Sequence, residues 1–278
     1  MRRLTEQQIA EFNLYLVQEE RSPGAIEKYL RDVRAFAAWL DGRAVTKELV
    51  SEWKEYLLEG RTPRTVNSML AAVNGFFRFM GWEDCRVRHL KIQRQMFRSA
   101  SKELSREEYQ RLLDRACAQG RRRLALLMET ICATGIRVSE VRYITLEAAQ
   151  AGCATISLKG KIRVILLPNR LCRKLLKYAK KQKIVSGEIF LTRNGNSLSR
   201  KQIWAEMKDL CKKAGVEPSK VFPHNLRHLF ARTFYKSCKD VAHLADVLGH
   251  SSIETTRIYL LSSGKEHLQQ MERLGLVS

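Results

Sequence analysis

The sequence lacks any apolar segment long enough to cross a membrane. A spanning helix needs roughly 18 consecutive apolar residues, and no run in the 278-residue chain approaches that length. The first eight residues, Met1–Gln8, are mostly polar or charged, so they also lack the apolar core of a signal peptide. With 45% hydrophobic residues, the chain can still build a sizeable globular core.

The cysteines are too scattered for a disulfide framework or a zinc site. Seven are present, an odd number, and no two of them form a C-x-x-C pair. Buried free thiols in a reducing compartment explain this pattern most simply. We therefore expect a cytoplasmic protein without a structural metal.

Acidic residues are scarce relative to basic ones. Lysine and arginine number 50 against 29 aspartates and glutamates, which gives a formal net charge of +21. An excess of this size favours a polyanionic partner over a surface that is merely basic. Without a membrane-spanning segment, nucleic acid is the favoured polyanion. Such binding should weaken steeply with salt, because neutralised phosphates release condensed counterions.

The first hundred residues have the periodicity of α-helices. Apolar residues repeat at helical spacing over 26–40, after the start signal Ser22-Pro23-Gly24, and again over 66–80. Helices near 6–20 and 47–59 would complete a four-helix unit. Basic residues then recur through 86–104, where the apolar periodicity is weak, and we expect a linker at 93–104. This stretch is either a solvated connector or a basic strap across a nucleic-acid backbone.

The second half of the chain is predicted to be mainly helical with a small hairpin. Ser105–Glu108 is a capping box, and helices should continue from there to about residue 145. Two short β-branched runs, 154–158 and 162–167, flank Lys159-Gly160-Lys161 and indicate a β-hairpin. A third strand could follow at Ile189–Leu191.

Three stretches contain residues suited to phosphodiester chemistry. They are Ala133–Glu140 (ATGIRVSE), Pro223–His228 (PHNLRH) and Leu248–Tyr259 (LGHSSIETTRIY). An attack by tyrosine on a phosphodiester needs positive charge at the phosphate, a base for the phenol and an acid for the leaving oxygen. The stretches supply the candidates for these tasks: Arg137, His224, Arg227, His250 and Tyr259.

Each candidate also has a purely structural interpretation. Guanidinium groups bind phosphate with paired hydrogen bonds, but a single arginine is usually only a surface charge. His224 and Arg227 are three residues apart and share a helix face. His224 and His228 have a spacing that metal sites use, yet no acidic third ligand accompanies them. Tyr259 should lie two to three turns along the helix that starts after His250, where it could simply be a core residue.

The three stretches in this order closely resemble the tyrosine recombinases, the phage integrase and Xer-like family. The order Ser22, Tyr29, Phe36, Trp39-Leu40 also resembles the small helical domain of that family. The resemblance implies a mainly α fold. A helical SAM-like core-binding domain would occupy 1–92, a linker 93–104, and the catalytic domain with its C-terminal tail 105–278, the last containing a small antiparallel β-sheet.

The resemblance further implies site-specific cleavage and rejoining of DNA through a 3′-phosphotyrosyl bond to Tyr259. In the family, a hairpin lysine protonates the leaving 5′-oxygen. Lys159 matches that position, but the turn is shorter than the family's Gly-Lys-Gly-x-Lys, so Lys161 stays an alternative. Glu140 is expected to orient a catalytic side chain. No metal or small-molecule cofactor is implied, and the partners would be double-stranded DNA and three further copies, forming a tetramer on two DNA sites.

The residues leave the biological task open. Resolution of chromosome or plasmid dimers and integration or excision of a mobile element are both compatible with them. A type IB topoisomerase would share the tyrosine chemistry but reseal the same strand, and a catalytically silent DNA-binding protein would share only the fold. A short helix at 265–274 would either pack on its own domain or dock on a neighbouring protomer.

Overall fold

The computed structural model describes residues 2–92, 102–158, 161–257, 259 and 272–274. The chain divides into two compact units, Met1–Arg94 and Gln95–Ser278, and each has its own apolar core. The division falls within the linker predicted at 93–104, but residues 93–101 lie outside the described ranges. The predicted domain boundaries therefore stay predictions.

The N-terminal unit is the four-helix unit that the apolar periodicity predicts. Its helices are α1 (Glu6–Gln18), α2 (Pro23–Leu40), α3 (Lys47–Gly60) and α4 (Pro63–Phe79). Threonine side chains accept hydrogen bonds from backbone N–H groups at the starts of α1, α3 and α4, which caps donors that the helices leave unpaired. Phenylalanine and tryptophan rings from α1 to α4 fill the core between them.

Two asparagines of α4 hold the extended segment that follows it. The side chain of Asn74 donates to the carbonyl of Val87 at 2.9 Å and accepts from its N–H at 3.2 Å. Seven residues earlier on the same helix face, Asn67 makes the same pair of bonds with Leu90, at 2.9 and 2.7 Å. Each asparagine amide thus makes the two hydrogen bonds that a neighbouring strand would make with the backbone of this segment.

The second unit is mainly helical. Eight α-helices are described: α5 (Arg106–Ala118), α6 (Arg122–Thr134), α7 (Leu146–Ala151), α8 (Asn169–Lys181), α9 (Arg200–Ala214), α10 (Pro223–Cys238), α11 (Val241–Leu248) and α12 (Ile253–Arg257). A 3₁₀ helix covers Val138–Tyr143. No helix within the described ranges combines the length and apolarity of a membrane span.

The predicted hairpin is present, with strands β1 (Cys153–Leu158) and β2 (Lys161–Leu166) paired antiparallel. One face packs on the core, while the alternate positions on β2 are exposed. The third strand expected at Ile189–Leu191 does not form in the described sheet, which has two strands. Glu188 and Leu191 make only isolated bridges, and the carbonyl of Leu191 accepts a hydrogen bond from the Arg123 side chain at 2.6 Å.

Two glycines in the left-handed backbone conformation bring the loop backbone close to the centre of this unit. Gly135 ends α6 with φ +65°, and Gly249 ends α11 with φ +62°. A Cβ on Gly135 would lie 2.7 Å from a ring carbon of Phe230 and 3.0 Å from Leu248. Because α6 packs against α10, this close approach brings the end of α6 next to the first turns of α10.

The paired amide bonds of α4 make a stability prediction. Asn74→Ala should lower the free energy of unfolding by about 2–3 kcal/mol, because it leaves the buried N–H and C=O of Val87 without hydrogen-bond partners. Asn67→Ala is the matched control. It removes the same two bonds from a half-buried site, where water can replace them, and should cost less. Chemical denaturation of both variants would measure the difference, and equal losses would contradict this account.

Candidate active site

The guanidinium of Arg227 lies at the centre of the site and is only 1% exposed. Its Nη1 donates to the carbonyl of Gly135, and its Nη2 donates to the carbonyl of Leu248 at 2.9 Å. Nη2 also lies 2.8 Å from Nε2 of His250, and Nε donates to the phenolic oxygen of Tyr259 at 3.4 Å. The side chain of Arg227 therefore contacts two of the other candidate residues, His250 and Tyr259.

The two carbonyls explain how this charge is tolerated inside the protein. Gly135 and Leu248 lie at the C-terminal ends of α6 and α11, where carbonyl groups lack helix partners and carry partial negative charge. Burial lowers the pKa of Arg227, and the hydrogen bond to Tyr259 opposes that shift. Arginine nevertheless stays charged at neutral pH.

His250 is held as a neutral imidazole in a defined tautomer. Arginine has no acceptor, so Nε2 must accept from Arg227, and the proton must be on Nδ1. Nδ1 then donates to the hydroxyl of the buried Thr256 at 2.8 Å. Burial, reinforced by the nearby charge of Arg227, lowers the pKa of His250 to about 4. Thr256, which lies one turn into α12, is not distinguished by any pattern in the sequence.

Tyr259 is 3% exposed and lies in a turn. The expectation that it lies two to three turns along a helix is wrong, because α12 ends at Arg257. The N–H of Tyr259 donates instead to the carbonyl of Thr256 at 2.9 Å, a tight bond over three residues that closes the turn. This turn points the phenol back towards Arg227.

Three histidine rings surround the ring of Tyr259. His228 is nearest, with its ring centre 4.4 Å away; His250 is nearly parallel at 5.7 Å, and His224 lies at 6.0 Å. His224 and His228 are perpendicular at 4.5 Å. The structure thus brings together the first turns of α10, the loop after α11 and Tyr259. It also places His228 in contact with the phenol ring.

Arg137 lies at the start of the 3₁₀ helix, directly after the α6 terminus, with 41% of its side chain exposed. Its Nη1 pairs with Glu140 at 3.0 Å, and its backbone N–H donates to the other oxygen of the same carboxylate at 2.7 Å. The side chain of Glu140 is 3% exposed. Glu140 was expected to orient a catalytic side chain, and the side chain it holds is that of the candidate Arg137.

Arg163 was missed by sequence reasoning. It lies on β2 and pairs with Glu140 at 2.5 Å, so that one carboxylate serves two arginines. The available signal was its place as the only charged residue in the otherwise apolar run 162–167.

The hairpin lysines are not placed by the structure. Lys159 lies outside the described residues, and for Lys161 only its backbone position at the start of β2 is described. The choice between the two stays a prediction. Within the described ranges, no three His, Cys, Asp or Glu side chains are grouped so that they could hold a metal ion.

Comparisons with known protein families match both halves of the chain. The Phage integrase family matches residues 102–266, and the Phage integrase N-terminal SAM-like domain matches 9–84. The tyrosine recombinase XerA of Thermococcus kodakarensis is 31% identical over 274 residues, covering 95% of this chain and 93% of that protein. The tyrosine recombinase XerD of Listeria monocytogenes is 29% identical over 271 residues, covering 88% and 90%.

Solved structures show the same fold. A lambda integrase fragment, crystallised as a dimer bound to a core site, aligns with a TM-score of 0.73 at 16% identity, covering 92% of this chain and 95% of that one. The XerH recombinase bound to its difH substrate aligns with a TM-score of 0.71 at 19% identity, covering 99% and 85%. These matches, together with the pocket around Tyr259, show that the chain belongs to the phage integrase family and is a tyrosine site-specific recombinase.

Proposed function

We propose that Tyr259 is the nucleophile of this recombinase and that its substrate is double-stranded DNA. The phenolic oxygen would attack the scissile phosphorus and form a 3′-phosphotyrosyl bond, while a 5′-hydroxyl leaves. A 5′-hydroxyl from a partner duplex would then attack that bond, so no phosphodiester energy is lost. The observation that carries the proposal is the hydrogen bond between Arg227 and the phenolic oxygen of Tyr259 in a pocket shared with His250.

The hydrogen bonds of Arg227 define how a phosphate would enter. A guanidinium has five N–H donors, and the four contacts of Arg227 engage four of them. The carbonyls of Gly135 and Leu248 fix the group in place. A phosphate oxygen would therefore replace Tyr259 as the acceptor at Nε. That exchange would release the phenol beside the phosphorus it attacks. The half-exposed Arg137 would bind a second non-bridging oxygen.

The histidines divide the remaining tasks. A pKa of about 4 makes His250 a weak base at neutral pH, so its role is to hold Arg227 through Nε2. His224, the other candidate histidine beside the Tyr259 ring at 6.0 Å, would accept the phenol proton. The leaving 5′-oxygen would be protonated by Lys159, with Lys161 as the alternative.

We further infer that the chain recombines DNA as a tetramer on two sites. One structural relative is a lambda integrase tetramer bound to a Holliday junction. The net charge of +21 would let both units bind the DNA backbone. The free thiols of the chain suit the cytoplasm. The tail helix expected at 265–274 lies almost entirely outside the described residues, and its docking on a neighbouring protomer stays a hypothesis.

Replacing the proposed nucleophile gives a direct test. Tyr259→Phe should abolish covalent attachment to a nicked suicide substrate while leaving DNA binding nearly unchanged, because phenylalanine keeps the ring packing against His228 and His250. Denaturing gels would detect the adduct, and mobility shifts would measure binding. Tyr178→Phe, at a tyrosine on α8, is the matched control and should form the adduct normally. An adduct with Tyr259→Phe would show that another residue attacks.

The neutral state of His250 makes a pH prediction. An unfolded histidine takes up its proton near pH 6.5, whereas the folded one does so only at about 4. The unfolded state therefore binds more protons between these values, and the contribution of His250 to stability is lost as the pH falls through that window. The difference in melting temperature between the wild type and His250→Gln should shrink from pH 7.5 to pH 4.5. A constant difference would contradict the assignment.

Pairwise strand exchange distinguishes the recombinase from a topoisomerase and from a silent DNA-binding protein. Incubation with two copies of a target site should yield a Holliday junction, because the 5′-hydroxyl of one duplex attacks the phosphotyrosine of the other. A topoisomerase would relax supercoils without joining duplexes. Sites recovered from covalently trapped DNA would supply the substrate, and native gels would resolve the junction. Relaxation without any junction would rule out the recombinase assignment.

A further inference from the structure

Thr256 is a fully buried threonine in the short helix α12. Its exposed fraction is 0%, whereas the neighbouring Thr255 is exposed. A buried hydroxyl costs free energy unless it forms a hydrogen bond, and this hydroxyl lies 2.8 Å from Nδ1 of His250. Valine would fill nearly the same space without any polar atom. The hydroxyl at this position therefore serves the imidazole.

The two nitrogens of the imidazole are held from opposite sides. Nε2 accepts from Arg227, so the proton of the neutral ring is on Nδ1, which donates to the threonine hydroxyl. Loss of the hydroxyl would leave a half-buried N–H without this acceptor, which is unfavourable. The ring would then turn or change tautomer to find another acceptor. Either response would weaken its contact with Arg227.

The backbone of Thr256 makes a second contact within the site. Its carbonyl lies in the last turn of α12, where carbonyls have no partner in the helix. It accepts instead from the N–H of Tyr259 at 2.9 Å. A helix of five residues is too short to be stable alone, so its tertiary contacts determine where it places the turn that follows. Thr256 thus contacts the histidine with its side chain and the tyrosine with its main chain.

These contacts complete a closed ring of four residues. Nη2 of Arg227 contacts Nε2 of His250, and Nδ1 of His250 contacts the hydroxyl of Thr256. The carbonyl of Thr256 contacts the N–H of Tyr259. The phenolic oxygen of Tyr259 contacts Nε of Arg227, where the ring began. The tyrosine is thereby connected to the arginine through both its side chain and its main chain.

Binding of a phosphate would open this ring at one link only. A phosphate oxygen that replaces Tyr259 at Nε of Arg227 would remove the direct contact between the arginine and the phenol. The route through His250 and Thr256 leaves the arginine from Nη2, so it would persist. This route would then determine where the released phenol lies relative to the phosphorus. Attack requires that alignment to be close, since small displacements of reacting atoms cost much of the rate.

We propose, resting on the function proposed above, that Thr256 is a positioning residue that keeps Tyr259 aligned with the phosphate on Arg227 by way of His250. Its hydroxyl acts through the imidazole, and its carbonyl acts on the turn that carries the phenol. The alignment of the nucleophile is thereby retained after the phosphate has displaced the phenol from the arginine.

A double-mutant cycle separates this role from a merely structural one. The test measures the rate constant of covalent adduct formation on a nicked suicide substrate, with protein in saturating excess. That rate constant does not depend on how much of the protein is folded. Thr256→Val should lower it about tenfold, the scale of one hydrogen bond lost from a buried donor, and leave the affinity for DNA unchanged.

The second arm of the cycle removes the residue through which the hydroxyl acts. His250→Phe keeps a ring beside Tyr259 but has no nitrogen to hold. In that background, Thr256→Val should change the rate constant by no more than about twofold, the error of additivity between independent sites. A threonine that only stabilised α12 would cause the same loss in both backgrounds.

Three further measurements serve as controls. Thr256→Ser keeps the hydroxyl and should recover most of the rate. Thr255→Val makes the same change at the exposed neighbour and should leave the rate unchanged. Nitrogen NMR of the histidine rings in the wild type should show the Nδ1–H tautomer for His250 at neutral pH, assigned by the signals that His250→Phe removes.

A wild-type rate for Thr256→Val, an equal loss in both backgrounds, or the Nε2–H tautomer in the wild type would each overturn the proposal. If Thr256→Val does not fold, Thr256→Cys takes its place in the cycle, because a thiol fills the site but is a weak acceptor. Failure of the proposed function itself has a different result: no adduct with the wild type, or an adduct that survives Tyr259→Phe.

Discussion

The burial of one positive charge, that of Arg227, constrains the rest of the catalytic unit. A guanidinium that is 1% exposed needs acceptors from the protein, and the strongest ones at hand are carbonyls at helix C-termini. The ends of α6 and α11 must therefore converge on α10. Both ends have glycine in the left-handed conformation, which frees these carbonyls without a clash. The acceptors that Arg227 needs therefore constrain how these helix ends are arranged.

That constraint prepares the site before any substrate binds. Arg227 is held by backbone atoms, His250 is held in one tautomer by Arg227 and Thr256, and Arg137 is held by Glu140. None of these groups has to find its orientation during the reaction. Pre-organised donors of this kind contribute most of the stabilisation in many enzymes, because they are not reoriented when charge develops.

The sequence predicted the helices, the hairpin and the residues of the motifs, since these follow from local periodicity and spacing. It did not predict interactions that depend on distant pairing. Arg163 is separated from Leu248 by 85 residues, and their contact is visible only once β2 meets the α11 terminus. Thr256 was missed because any hydroxyl in the first turn of α12 has the same local pattern. The third strand expected at 189–191 does not form: Leu191 makes only an isolated bridge to Ser197, and its carbonyl accepts from Arg123.

The charge balance of the pocket agrees with the proposal that a phosphate binds there. Arg137, Arg163 and Arg227 act on one another, and Glu140 is the one carboxylate paired with them among the described residues. The surplus is about two positive charges, and the same three arginines help to keep His250 neutral. A phosphodiester brings one negative charge, and its five-coordinate transition state gains a second. The repulsion among the arginines is therefore relieved most fully at the transition state, where catalysis requires the tightest binding.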